Sequence, residues 1–243
     1  MRIGVYVDGY NLYYGARKHC GRSTAGWRWL DVRALVEPLA GWPDARISRV
    51  VYCTARVDPL DSPDARLDQS IYLDALLASQ SVDLIAEGRY VSWAKAEPLV
   101  AEPPGTYRPS VYRHDDESWD SRLPLRAIPS GDDRLVMATV RKREEKGSDV
   151  NVASHLLFDV LTAAVDGAIV VSNDSDLELP LRLARERVPV GTVNPSTNPT
   201  AGALKGEPED GVGRHWWRRL TAADYRRSQL PDPVENLRKP TGW

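Results

Sequence analysis

The chain has 243 residues, room for one large α/β domain with insertions, and its hydrophobic share of 42% supplies a sizeable core. Lys and Arg total 32 against 34 Asp and Glu, so bulk charge argues neither for nor against nucleic acid, and any basic surface must be local. Cys20 and Cys53 are too few for a zinc knuckle or a disulfide framework. No apolar stretch is long enough to span a bilayer, and Met1-Arg2-Ile3 runs straight into a strand pattern, so a cytoplasmic protein without a membrane partner is expected.

Taken in order, Ile3 to Val7 reads as a short buried strand ending in Asp8-Gly9-Tyr10-Asn11. Gly9 permits a tight turn, and Asn11 falls on the same side as Asp8 if a helix begins there. Residues 20–29 read as a loop, Leu30 to Leu39 as a helix, and Ile47 to Thr54 as the second strand. Asp58 and Asp61 sit in a proline-containing loop as solvated acids. The spacing of Leu67, Ile71 and Ala75 predicts one face of a helix over 64–79. Val82 to Ile85 is the third core strand, extended through Trp93. From Ala94 to Asp133 no period persists, which reads as a surface insertion; its His114, Asp115, Asp116 and Glu117 read as a solvated acidic loop.

Leu135 to Lys142 resumes as a strand expected to pair with Tyr90 to Trp93. The basic residues Lys142, Arg143 and Lys146 follow, either as a solvated edge or as groups that approach phosphates. Asp149 then opens a helix with Ala153, Leu156, Leu157, Val160, Leu161 and Ala164 as its inner stripe, which puts Asp149 on the sheet-facing side at the first turn. His155 and Asp159, four apart, either pair or support the site from behind. Ala168 to Val171 is a buried strand running into Ser172-Asn173-Asp174-Ser175-Asp176, and Leu177, Leu181 and Ala184 mark the next helix. Val188 to Val193 is the last core strand expected. Beyond it, Trp216, Trp217, Arg218 and Arg219 either stack on bases or cap the sheet, and residues 228–243 form a tail over the body.

Each acid alone reads as readily as a turn or helix cap. Asp8, Asp149, Asp174 and Asp176 together converge on one sheet edge if the first strand and the strand before Asp174 are neighbours. Four Asp without His or Cys form a hard-oxygen set suited to Mg²⁺ or Mn²⁺. No Gly-rich P-loop or dinucleotide loop is present.

The stretches Val7-Asp8-Gly9-Tyr10-Asn11, Glu145 to Asn151, and Val171-Ser172-Asn173-Asp174-Ser175-Asp176-Leu177 resemble the three motifs of NYN domains of the PIN-like nuclease superfamily. The resemblance covers most of residues 1–195, with the insertion at about 94–133, and leaves 196–243 as an extension packed on the domain. It implies a three-layer α/β/α sandwich around a central parallel sheet of order 3-2-1-4-5. It implies a metal-dependent ribonuclease acting on RNA, with Asp8, Asp149, Asp174 and Asp176 as ligands of Mg²⁺ or Mn²⁺. Asn11 would orient Asp8 or a water, and Ser172 and Asn173 would shape the turn that presents Asp174 and meets the substrate. The alternatives are an RNA-binding or interaction module with a silent metal site, an Asp-dependent phosphatase, and, for assembly, a homodimer.

Overall fold

The computed structural model describes residues 1–60, 62–113, 119–131 and 133–243, so Asp61 and the acidic run His114 to Glu117 lie outside the described residues. The chain folds as two compact units, residues 1–89 with 145–243, and residues 90–144. In chain order the elements are β1 (Arg2–Asp8), α1 (Gly9–Cys20), α2 (Val32–Val36), β2 (Arg46–Ala55), α3 (Pro63–Ala78), β3 (Leu84–Pro98), β4 (Leu125–Ser130) and β5 (Asp133–Lys146). They continue with α4 (Ser148–Leu161), β6 (Gly167–Val171), α5 (Glu178–Arg185), β7 (Val190–Asn194), α6 (Gly202–Lys205), β8 (Trp216–Arg219) and α7 (Ala222–Arg227).

The larger unit holds the strand order β3-β2-β1-β6-β7-β8, every neighbouring pair parallel. Strand β1 is the organising element because it is buried on both faces. Ile3, Val5 and Val7 face a core built with α1, α2, α3, Tyr225 of α7 and Leu230, whereas Tyr6 joins Val152 and Leu156 of α4 and Leu181 of α5 on the other. This two-sided burial is why β1 and β6 read as nearly continuous apolar runs, and it makes an α/β sandwich with helices on both faces of the sheet. Asp8 lies opposite Cys53 in β2, and Val7 opposite Val171 in β6, so the carboxyl ends of three adjacent strands meet at one edge. The smaller unit pairs β4 and β5 antiparallel from Leu125↔Ala138 to Ser130↔Asp133. There the expected pairing of β5 with the far part of β3 is seen, with the Arg141 Nε donating to the Ser92 hydroxyl at 2.8 Å.

Several local readings change. The stretch 94–133, where no period was visible, contains the end of β3 and all of β4. Val193 does not end the sheet, because β8 adds a parallel strand beside β7. Of the expected face of α3, Ala75 is buried and Ile71 packs on the core, but Leu67 is 61% exposed, and Tyr72, Leu73 and Leu76 are buried as well. In α4 the inner stripe is Val152, Leu156, Asp159 and Val160, while Leu161 and Ala164 face outward. His215 is buried and accepts from the Val190 amide through Nδ1 at 3.0 Å, and Trp216 packs on Trp42 at 5.5 Å. These residues cap the sheet. The tail lies over the α1–α3 side as expected: the Trp29 indole donates to Pro231 O at 2.8 Å, and Trp243 meets Trp29 and Tyr72.

Candidate active site

The site is built on the ends of β1 and β6. β1 ends because Asp8 turns the chain into α1 and caps it: Oδ1 accepts from the Asn11 amide at 3.0 Å. Its other oxygen, Oδ2, accepts from the Asn11 side-chain amide at 2.7 Å and from the Ser172 hydroxyl at 2.9 Å. Ser172 follows β6 directly, is fully buried, and accepts in turn from the Asp174 amide at 3.1 Å. Asp174 Oδ1 caps the 3-10 turn Ser175–Leu177 by accepting from the Asp176 amide at 3.0 Å. Asn11 Oδ1 accepts from the Asn173 amide at 3.2 Å, and Asn173 Oδ1 accepts from Ala201 at 2.8 Å, pinning the loop after β7. Asp8, Asn11, Ser172, Asn173 and Asp174 therefore form one hydrogen-bonded lattice between two strand ends.

Asp149 enters from α4, whose capping position is Gly147 at φ 107°. Glu145 caps the same turn, its Oε1 accepting from the Ser148 amide at 3.1 Å and the Ser148 hydroxyl at 2.9 Å. Burial pushes Asp149 up to about 6, and the charges of Asp8, Asp174, Glu145 and Asp176 push the same way. Burial also raises Asp8, opposed by its bonds from Asn11 and Ser172 and reinforced by the charge of Asp174. The Cys53 thiol is pushed up to about 12, by burial first and then by Asp8 and Asp149, so it stays a neutral wall of the site. The structure thus brings Asp8, Asn11, Asp149, Ser172, Asn173, Asp174 and the exposed Asp176 together.

The remaining expected residues are placed elsewhere or otherwise engaged. Asp159 is fully buried and bonded to the Tyr6 hydroxyl at 2.9 Å and Arg49 at 3.0 Å, not to His155. Ten residues along α4 put it roughly 15 Å from Asp149. Lys142 and Arg143 belong to the smaller unit, where Lys142 pairs with Glu144 at 3.5 Å and Arg143 lies over the Tyr90 ring at 3.7 Å. Lys146 is exposed at the end of β5. Glu145, Cys53 and Tyr10 were missed as members of the site. Tyr10 follows Gly9, donates to Ala55 O at 2.9 Å and stacks on Tyr14 at 6.3 Å. Cys53 carried a readable signal, since it too ends a buried strand. Replacing Ser172 by Ala should cost about 1–3 kcal/mol, because Asp8 and the Asp174 amide lose a buried partner. The shift of the urea midpoint measures it.

No family model matches the chain. It is similar to 6-hydroxy-3-succinoylpyridine 3-monooxygenase HspA of Pseudomonas putida, with 27% identity over an alignment of 263 positions covering 99% of this chain and 73% of that protein. Among solved structures it is similar to a protein of unknown function from Vibrio parahaemolyticus, at TM-score 0.43 and 13% identity, covering 90% of this chain and 92% of that one.

The similarity to a monooxygenase points to oxidoreductase chemistry and overturns the expected activity as a metal-dependent ribonuclease, together with its hydrolytic alternative, the phosphatase. The Mg²⁺ or Mn²⁺ expected on Asp8, Asp149, Asp174 and Asp176 is corrected as well. Among the described residues no group of three or more His, Cys, Asp or Glu is arranged to hold a metal ion. The physical reason lies in the lattice. Both oxygens of Asp8 are committed to Asn11 and Ser172, and one oxygen of Asp174 caps the following turn. Two of the four acids that look like hard-oxygen ligands in sequence, Asp8 and Asp174, are thus engaged in closing two strand ends. Among the described residues no helix is long and apolar enough to cross a membrane.

Proposed function

We propose that this chain is an oxidoreductase, a monooxygenase that places oxygen on a hydroxylated N-heteroaromatic ring. The observation that carries the reading is the 27% identity with the pyridine monooxygenase, spread along 99% of this chain. The relative's name describes a pyridine with a hydroxyl at position 6 attacked at position 3, directly across the ring. Loss of the hydroxyl proton pushes electron density onto that para carbon, so a base at the hydroxyl helps the reaction. Asp149 suits this role: pushed up to about 6, it is ionised at neutral pH yet more basic than an ordinary Asp. Taking up the proton leaves the total charge of site and substrate unchanged and relieves its repulsion with Asp8 and Asp174. Asp8, Asn11 and Ser172 act as the positioning lattice, and the stacked rings of Tyr10 and Tyr14 offer flat faces to a heteroaromatic ligand.

Monooxygenation puts one atom of O₂ into the substrate and reduces the other to water with two electrons from a reductant; at position 3 of the named substrate the new C–O bond displaces the succinoyl chain, whose bond to the ring breaks and whose carbonyl carbon is taken up by water as a carboxylic acid. A flavin is a common carrier for such chemistry. The residues here do not fit a resident one. The chain has no Gly-rich dinucleotide loop. Among the described residues, cavities of about 360 and 330 Å³ are lined largely by charged side chains, and the aromatic crevice among Leu12, Trp27, Tyr52 and Tyr72 is about 30 Å³, space for a single water.

The test is incubation with 6-hydroxy-3-succinoylpyridine, reduced nicotinamide and ¹⁸O₂, with and without added flavin, followed by mass spectrometry. One ¹⁸O per turnover is expected in the ring product, with the rate rising through the titration of Asp149 near pH 6. Asp149→Asn should slow turnover by about 10²-fold or more. Unlabelled ring material under every reductant would falsify the proposal.

A further inference from the structure

One buried cation makes no ion pair among the described residues and feels the charge of Asp210 only from across a cavity. Arg185, at the end of α5, is 3% exposed. Its Nη2 donates to Lys205 O at 3.0 Å, to Leu204 O and to Thr192 Oγ1, but its buried Nε has no hydrogen-bond partner among the described residues. It lines a cavity of about 360 Å³ between α5 and residues 202–211. Gly206, at φ 60°, leaves the space before the guanidinium open, since a Cβ there would stand 2.7 Å from Nη1. Arg182, one turn earlier, lines the same cavity and is exposed. Neither arginine makes an ion pair among the described residues. A buried guanidinium with an unsatisfied N–H is costly; Nε is enclosed, whereas Nη1, beside Gly206, is the atom at which a ligand in the cavity could supply a partner.

We propose that this cavity is a carboxylate subsite, in which Arg185 and Arg182 hold the acid group of an acyl chain borne by an aromatic substrate. The identity of the substrate rests on the monooxygenase reading; the subsite rests on the cavity itself. A second cavity, of about 330 Å³, is lined by Ser175, Asp176, Glu178, Leu179 and Arg182, so Arg182 and Glu178 belong to both. The pair forms a track along α5 from the Asp176 end of the site, in the preceding 3-10 turn, to Arg185 at the helix's far end. Glu178, Glu186 and Asp210 also border the inner cavity. Asp210 is engaged by the Glu207 amide at 2.8 Å, and Glu178 on α5 and Glu186 just beyond it are exposed. Their charge disfavours a phosphate dianion and selects a monocarboxylate. A pyridine bearing a succinoyl chain carries its carboxylate at the far end of a short flexible arm, which matches an aromatic end and an arginine end joined by one track.

The experiment is calorimetric binding of 6-hydroxy-3-succinoylpyridine and of 3-acetyl-6-hydroxypyridine, which keeps the ring and ketone and lacks the acid. The wild-type chain should bind the acid at least about tenfold tighter, the preference expected of a charge-assisted Arg–carboxylate bond. Arg182→Gln and Arg185→Gln should each shrink that preference to about threefold or less, and inorganic phosphate should not displace the acid. Should Arg185→Gln fail to fold, Arg182→Gln, on the exposed side of α5, decides. Equal affinity for both compounds, an undiminished preference in folded Arg182→Gln, or no binding of either compound at millimolar concentration overturns the subsite. Arginine-dependent binding without ¹⁸O incorporation would remove the monooxygenase reading and leave the subsite standing; incorporation without arginine dependence would do the reverse.

Discussion

Asp149→Asn should make the protein more stable at pH 8 while removing its activity. Folding raises this carboxyl from 3.8 to about 6, so the folded state binds its proton more tightly than the unfolded chain does. The stability linked to that proton is fully present below 3.8 and is lost as pH rises through 6. At pH 8 the ionised group sits among Asp8, Asp174, Glu145 and Asp176, and the fold carries the strain. A shift of this size corresponds to ~3 kcal/mol at full burial, and solvent screening of a half-exposed side chain reduces it to about 1–2 kcal/mol. Asn keeps the shape and removes the charge. Urea unfolding at pH 8 should therefore show a gain of that order, shrinking as pH falls toward 4. An equal midpoint for both proteins at pH 8 would mean that the acids do not press on Asp149. A gain in stability paired with a loss of turnover is the signature of a strained functional group and not of a structural cap.

Gly191→Ala should destabilise the larger unit by about 2–4 kcal/mol through overpacking. Gly191 is buried in β7 opposite Trp216 of β8. A Cβ there would lie 2.6 Å from Trp216 Cη2 and closer still to Cζ2, inside the indole ring. The ring has no free direction, because Trp42 packs against it at 5.5 Å and is itself anchored by its indole N–H donating to Arg214 O at 2.9 Å. The added methyl must lift Trp216, and with it the outer strand of the sheet. Tryptophan fluorescence during urea unfolding reads the loss directly. Coupling to Trp216→Ala gives the control: the double variant should lose clearly less than the sum of the single losses, since the second change opens the space that the first one fills. Additive losses would place the damage elsewhere in β7.

The strands legible in the sequence are those buried on both sides. Ile3 to Val7 and Ala168 to Val171 are nearly continuous apolar runs, and Val190 to Val193 is broken only by Gly191 and Thr192, because each is buried on both faces. Strand β8 was hidden for the converse reason. Trp216-Trp217-Arg218-Arg219 sits at the sheet's edge with its last three residues exposed, and its composition reads equally as a ligand surface. Leu67 follows the helical period of its neighbours yet faces solvent, because burial in α3 follows Tyr72, Leu73 and Leu76 around the helix. The convergence of the acids was readable from strand ends. Their commitment was not, since the partner that takes up Asp8 is Ser172, 164 residues away. Residue types suggested metal ligands, whereas the donors that already occupy those oxygens appear only when β1 and β6 lie side by side. Arg185 escaped notice because nothing in Leu181 to Glu186 marks which of its arginines points inward.

The central strand also governs the order in which this molecule can be assembled. β1 finds its first neighbour, β2, within about fifty residues, as Val5↔Val50 shows, but its other edge waits for β6, as Val5↔Ile169 shows. The whole of residues 90–144 intervenes, a stretch compact in its own right. Contacts between such distant partners pay their loop-closure entropy before any burial repays it, so this sheet should close slowly. Until it does, the apolar run Ile3 to Val7 presents an open edge to any extended chain nearby. The strand that brings the acids together in the finished fold is therefore the one most in need of dilution or a chaperone while the fold is being made.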